Sequence, residues 1–181
     1  MYYYKHLYGG CMELEKLIRD VPDFPKKGIV FKDITTLLQD GEAFRQSMNQ
    51  ILKKFLEANI DKVVGIEARG FILGGVLAYK LSCGFVPARK PGKLPAQTIR
   101  EEYTLEYGSN ALEIHQDSIK PREKVLIVDD LLATGGTALA TAKLVEKLGG
   151  EVVAIQFLIE LGFLNGREKL LPYTVHSLII Y

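Results

Sequence analysis

Val125–Thr137 reads VLIVDDLLATGGT. Its first four residues, Val125, Leu126, Ile127 and Val128, form a continuous apolar run, the pattern of a strand buried on both faces. Asp129 and Asp130 follow, where that strand is expected to emerge. Ala133, Thr134, Gly135, Gly136 and Thr137 then open a predicted amphipathic helix through Leu148, closed by Gly149 and Gly150. Backbone N–H groups at such a glycine-rich helix start cradle a phosphate, and the helix dipole favours its charge. Ionised carboxylates only accept hydrogen bonds, so they repel phosphate but receive hydroxyls. A phosphate cup one short loop from two hydroxyl acceptors matches a ribose 5-phosphate. The loop is no P-loop, since it lacks that motif's lysine and spacing.

The same alternation of strand and helix extends outward. Leu14, Leu17 and Ile18 begin a short amphipathic helix, followed by a turn-rich stretch at residues 21–28 and the brief apolar stretch Ile29–Phe31. A helix is predicted over Gly41–Asn59, with Phe44, Met48, Ile51, Leu52, Phe55 and Leu56 on one face. Lys62–Ile66 reads as a buried strand, followed by Glu67-Ala68-Arg69-Gly70 and a helix to about Ser82. Phe85–Arg89 is a third strand, running into the basic loop of Arg89, Lys90 and Lys93 among Pro87, Pro91, Gly92 and Pro95. Thr98–His115 reads as two strand-like arms around a flexible tip containing Gly108, Ser109 and Asn110, and Val152–Ile159 and Val175–Ile180 as the last strands. Strands alternating with helices predict a mostly parallel sheet with helices on both faces, and such sheets bind ligands at the carboxyl ends of their strands. Residues 67–70, 89–93 and 129–137 all fall there.

Composition sets the outer limits. The chain has 181 residues, 48% hydrophobic and 25% charged, enough for one substantial domain. A net charge of +1 gives no sign of bulk nucleic-acid binding. Cys11 and Cys83 form no disulfide framework and no metal-ligand spacing, and Cys83 is expected to pack as a small apolar residue. The run Phe71–Tyr79 is too short to span a membrane. The leader MYYYKHLYGGC lacks the apolar segment of a secretory signal, so a cytoplasmic chain is expected. Residues 1–11 are expected to be a disordered extension, with Met12 the functional start and residues 12–181 one domain.

Further segments carry a resemblance. IRDVPDFPKKGIVFKDITTLL (residues 18–38), GIEARGFILG (65–74), ARKPGKLP (88–95), LEYG (105–108) and LEIHQDSI (112–119) join VLIVDDLLATGGT. Together they resemble the adenine branch of the type I phosphoribosyltransferase family, from about Leu14 to the C-terminus. The resemblance implies an α/β fold: a mostly parallel twisted sheet flanked by helices, a flexible catalytic loop near residues 97–111 and a small N-terminal hood near 12–38. It implies transfer of the 5-phosphoribosyl group from phosphoribosyl diphosphate to adenine, giving AMP and diphosphate in purine salvage. Mg²⁺ would come with substrate and water, with no protein metal site, and the chain would form a homodimer without nucleic-acid or membrane partners.

Residue roles follow from the same resemblance. Asp129 and Asp130 would hold the ribose hydroxyls, and residues 133–137 the 5′-phosphate. Glu67, Ala68, Arg69, Arg89, Lys90 and Lys93 would hold diphosphate, with Arg89 reaching the neighbouring subunit's site and a strained or cis peptide around Glu67–Ala68. Phe31 would stack on adenine while the backbone of Val30 and Lys32 reads its edge. Glu106 would manage the purine proton from the loop that also carries Tyr107. Hypoxanthine–guanine relatives place an acidic residue where this chain has Ala133, which argues against 6-oxopurines.

Blander readings stand beside these. Paired aspartates also end strands in solvated turns, Thr134 or Thr137 could simply cap a helix, and lysines in a proline-rich loop are often only solvated. Val30 and Phe31 fit core packing, and Glu106 and Tyr107 fit plain strand positions. Two functional alternatives also remain: a phosphoribosyltransferase for xanthine or orotate, and a non-catalytic regulator that senses phosphoribosyl diphosphate.

Overall fold

The computed structural model describes residues 12–104 and 109–181. The chain divides into two compact units, with the cut between Ser47 and Met48.

In the first unit, the predicted opening helix is a single 3-10 turn, Leu14–Leu17. It leads into strand β1 (Arg19–Pro22), which pairs antiparallel with β2 (Val30–Asp33). Sequence reading did not anticipate β1, because two charged residues and a proline hide the alternation. Cross-strand pairing explains it: Arg19 lies opposite Asp33, and Asp20 opposite Lys32. Both become ion pairs, at 2.5 and 2.6 Å. The connection is a tight turn in which Asp23 Oδ1 accepts the Gly28 N–H at 2.7 Å. A short helix, α1 (Thr35–Gln39), follows.

Helix α2 (Gly41–Leu52) crosses the cut. Asp40 Oδ1 caps its start by accepting from the N–H groups of Glu42 and Ala43 at 3.0 and 2.9 Å. The helix stops seven residues short of the predicted Asn59. Beyond Leu52 the N–H groups of Lys54 and Phe55 bond to carbonyls three residues back, which tightens the turn. Leu56 is consequently 63% exposed and lost from the apolar face.

The second unit is built on strands β3 (Lys62–Ile66) and β4 (Gly84–Ala88), joined by helix α3 (Arg69–Leu81). Strands β5 (Thr98–Thr104) and β6 (Ser109–His115) form an antiparallel ribbon. Then come β7 (Lys124–Leu132), α4 (Gly136–Lys147), β8 (Glu151–Glu160), the short α5 (Gly166–Lys169) and β9 (Val175–Ile180). The parallel sheet has the order β4-β3-β7-β8-β9. Helix α4 covers the face carrying Val64, Ile66, Val125, Ile127, Ile155 and Phe157. Helix α3 lies on the opposite face, where Gly74 approaches Val63. The chain reverses direction across the sheet between β3 and β7, since β4 lies on the far side of β3. Ligands of such sheets bind at that switch point, beyond the carboxyl ends of the two strands. Among the described residues, no helix is long and apolar enough to cross a membrane.

Candidate active site

β7 continues past Val128 to Leu132, because its pairing with β8 holds as far as Leu132 opposite Glu160. Asp129 and Asp130 therefore sit inside the strand rather than beyond its end, only 8% and 6% exposed. Their surroundings differ. Asp129 Oδ1 accepts the Asp130 N–H at 2.8 Å, while Asp130 Oδ2 accepts Arg69 Nε–H at 2.5 Å. Burial, and then the neighbouring Asp130, push the Asp129 carboxyl well above the usual carboxylate range, against a smaller opposing pull from Arg69.

The loop after β7 forms a cup. Gly135 takes φ +77°, and α4 starts with no side-chain cap at that position. The first amides of the helix are thus left for another acceptor, as an anion site requires. Neither Thr134 nor Thr137 caps the helix start at Gly135. Residues 133–137 line an open cleft of about 300 Å³ together with Asp129 and Phe157. Cup and carboxylate thus share one cleft.

Residues predicted for diphosphate gather at the adjoining strand ends. The Glu67–Ala68 peptide is cis, and Arg69 begins α3. Arg89, just past β4, donates from Nε to Glu67 Oε2 at 3.2 Å and from Nη1 to the Lys93 carbonyl at 3.0 Å. Its guanidinium lies 5.9 Å from the Phe71 ring centre. Lys93 N–H bonds back to the Lys90 carbonyl, which makes the basic loop a tight turn with both lysines exposed. Arg69 and Arg89 are thus tied to carboxylates of the strand ends, whereas Lys90 and Lys93 reach solvent.

Val30, Phe31 and Lys32 lie on β2 of the first unit. Val30 is 50% exposed, and Phe31 meets Phe24 edge-on with centroids 5.3 Å apart. Val30 and Lys32 are two residues apart and so present their backbone groups along one edge of the strand. Glu106 and Tyr107 lie outside the described residues, as do residues 1–11 and the tip at 105–108. The arms around that tip pair in register from Thr98–His115 to Thr104–Ser109. Glu101 anchors one arm to α4 through Lys147 at 2.6 Å and Lys143 at 3.4 Å, and the first of these holds its carboxyl below the usual range.

Two supporting glycines carry no ligand role in the sequence reading, which placed Gly70 only within the strand-end segment 67–70 and missed Gly166. A Cβ on Gly70 would lie 2.8 Å from the Val128 carbonyl oxygen and 3.0 Å from Asp129 Oδ1, so glycine lets α3 approach the aspartates. A Cβ on Gly166 would lie 2.0 Å from the Ala133 carbonyl oxygen, so glycine is also needed behind the cup. The signal for Gly70 was its place after Glu67-Ala68-Arg69. Gly166 lies twenty-nine positions past Thr137, the last residue of the cup, and gives no local signal.

This geometry agrees with known proteins. The family model of the phosphoribosyl transferase domain matches residues 34–176. The adenine phosphoribosyltransferase of Alkaliphilus metalliredigens is 62% identical over 170 residues, covering 94% of this chain and 100% of that protein. A crystal structure of adenine phosphoribosyltransferase from Thermoanaerobacter pseudethanolicus is 57% identical with TM-score 0.89, covering 93% of this chain and 98% of that one. The Saccharomyces cerevisiae enzyme, solved with an imino-altritol bisphosphate and adenine, is 40% identical with TM-score 0.87, covering 92% and 96%. The paired carboxylates of β7, the uncapped helix start and 62% identity across nearly the whole chain point the same way: the chain belongs to the adenine phosphoribosyltransferase family.

Proposed function

We propose that the chain transfers the 5-phosphoribosyl group from phosphoribosyl diphosphate to N9 of adenine, releasing AMP and diphosphate. One observation carries this reading: the uncapped amides of α4 and the carboxyl of Asp129 open onto a single cleft. Residues 133–137 hold the 5′-phosphate, and Asp129 and Asp130 hold the ribose hydroxyls. Positive charge grows on the ribose as its bond to diphosphate breaks, and negative charge grows on the leaving group. Fixed charges aimed at those atoms lower the barrier without a covalent enzyme intermediate. Arg69 and Arg89, already oriented by Asp130 and Glu67, face the leaving group with Lys90, Lys93 and the backbone at Glu67–Ala68.

Phe31 stacks on adenine, and the backbone of Val30 and Lys32 reads its edge. The solved relative holding adenine beside a sugar-like bisphosphate supports this choice of base. Glu106 manages the purine proton, and the loop it shares with Tyr107 closes over the substrates to exclude water.

The donor set suits Mg²⁺ brought by the substrate. Among the described residues no group of three or more His, Cys, Asp or Glu could hold a metal, and Mg²⁺ commonly binds through one or two carboxylates, waters and substrate phosphates. Asp129 and Asp130 are the carboxylates nearest the sugar, and bound Mg²⁺ would neutralise part of the diphosphate charge. The reading also includes a cytoplasmic homodimer. Its support is the exposed apolar side chains Ile72 and Tyr79 of α3 and Phe85 of the edge strand β4, respectively 46%, 81% and 38% exposed.

Incubation with phosphoribosyl diphosphate, Mg²⁺ and each purine or orotate in turn should give nucleotide from adenine alone. Product from another base, or none, would overturn the assignment. Glu106→Leu should lower kcat by about 10²–10⁴-fold while leaving affinity for phosphoribosyl diphosphate intact, and unchanged turnover would remove Glu106 from the mechanism.

A further inference from the structure

Behind the phosphate cup lies a polar cluster that the chemistry above does not use. Glu160 ends β8 and is 6% exposed. It accepts Arg167 Nε–H at 3.1 Å, Arg167 Nη2–H at 2.5 Å and the Ser177 hydroxyl at 2.6 Å. Arg167 also donates from Nη1 to the Val175 carbonyl at 2.7 Å. The guanidinium is therefore held in a two-pronged grip and joined to the ends of both β8 and β9. Together Arg167 and Ser177 hold the Glu160 carboxyl below its ordinary range despite its burial.

Arg167 directly follows Gly166, and Gly166 presses on the cup. A Cβ on Gly166 would lie 2.0 Å from the Ala133 carbonyl oxygen, and one on Gly135 would lie 2.6 Å from the Gly166 carbonyl oxygen. The two backbones are wedged together with no side chain between them. Glu160 also lies opposite Leu132, the residue before the cup, and the Leu132 carbonyl accepts the Leu161 N–H at 2.9 Å. The backbone at Glu160 and Leu161 thus holds the cup's entry through the sheet, while the Glu160 carboxylate reaches its back wall through Arg167, the neighbour of Gly166. A pair with Glu160 buried and Arg167 half-buried adds little net stability, because desolvation of the carboxylate offsets the attraction. What it secures is geometry, and an anion cup depends on amides that point to one place.

We infer that Arg167 is a positioning residue for the phosphate cup, holding Gly166 against Ala133 and Gly135 through its grip on Glu160 and thereby setting affinity for the 5′-phosphate. This rests on the proposed assignment of residues 133–137 to that phosphate. The hydrogen bonds of Arg167 go to Glu160, Val175 and Ser177, none of them assigned to substrate. Its loss should therefore act on binding of the phosphate-bearing ligand rather than on bond breaking.

The test pairs kinetics with amide hydrogen exchange on the full chain. Arg167→Gln should raise KM for phosphoribosyl diphosphate and Kd for AMP by roughly 10- to 100-fold. It should leave kcat at saturating substrate within about twofold and speed exchange at residues 133–137 in the free protein. Arg167→Lys, which keeps the charge but loses the fork, should recover only part of the affinity. Ser177→Ala, a gentler change suited to the case where Arg167→Gln does not fold, should raise the same KM several-fold. A wild-type KM and Kd in the folded variants, or a fall in kcat alone, would overturn the inference. If AMP fails to protect the amides of 133–137 in the unaltered chain, the cup itself is misassigned and the inference falls with it. If AMP protects them there while the variants bind normally, only the role of Arg167 is lost.

Discussion

The β7–α4 region and the β1–β2 hairpin are both assigned to ligand, yet they are made in opposite ways. Around Asp129–Thr137 the working groups are buried carboxyls and backbone amides, fixed by a five-stranded parallel sheet and a twelve-residue helix. In the hairpin two four-residue strands are held by side-chain pairs, Arg19–Asp33 and Lys32–Asp20, with Val30 half in water. The first region cannot shift without disturbing the core. The second rests on charge pairs that solvent screens, each worth little on its own. A phosphate and a ribose offer the same geometry in every nucleotide and suit a rigid receptor, whereas the platform proposed for the base is a lighter one.

That contrast is open to attack, most severely at the carboxylates. Replacing both Asp129 and Asp130 by Asn should weaken phosphoribosyl diphosphate binding about 10²–10⁴-fold, from two charge-assisted hydrogen bonds of roughly 1.5–3 kcal/mol each. Titration calorimetry measures this directly, and unaltered affinity would end the hydroxyl assignment. Phe31→Ala should have the next largest effect. It should raise KM for adenine by about 5- to 100-fold, from stacking of roughly 1–3 kcal/mol per base, with KM for phosphoribosyl diphosphate nearly constant. Equal rises in both constants would erase the division of labour between the two regions.

The smallest effect concerns acid. Hydrogen bonds from Arg19 and Thr35 lower the Asp33 carboxyl from 3.8 to about 2. A folded-state value below the unfolded one means that the pair's support is fully present above the ordinary value and is lost as pH falls toward 2. Hairpin amides should lose exchange protection across that interval. Arg19→Ala should move the loss to higher pH, and identical profiles would show that the pair contributes nothing.

Much of this was legible because the motif is local. VLIVDDLLATGGT compresses strand, carboxylates, loop and helix start into thirteen residues, and the buried strands announced themselves as apolar runs at Lys62–Ile66 and Val175–Ile180 with the observed limits. The expected cis peptide at Glu67–Ala68 is present. Where the reading failed, the deciding partner was distant for the strands and local for the end of α2. β1 exists because Arg19 and Asp20 find charges on another strand, and the predicted end of α2 missed a tightening turn after Leu52. Asp129 and Asp130 were placed beyond a strand that β8 in fact prolongs through both of them.

By itself, the order of residues determined the alternation of strand and helix and the chemical type of each ligand group, since periodicity and glycine placement act over a few positions. Tertiary structure alone decided that Asp129 and Asp130 differ. Both are buried, but Asp129 has its proton affinity raised, whereas Asp130 is gripped by Arg69 from sixty-one positions away. It also decided that Gly166 backs the cup, because close contact between two backbones leaves no trace in the sequence around either of them.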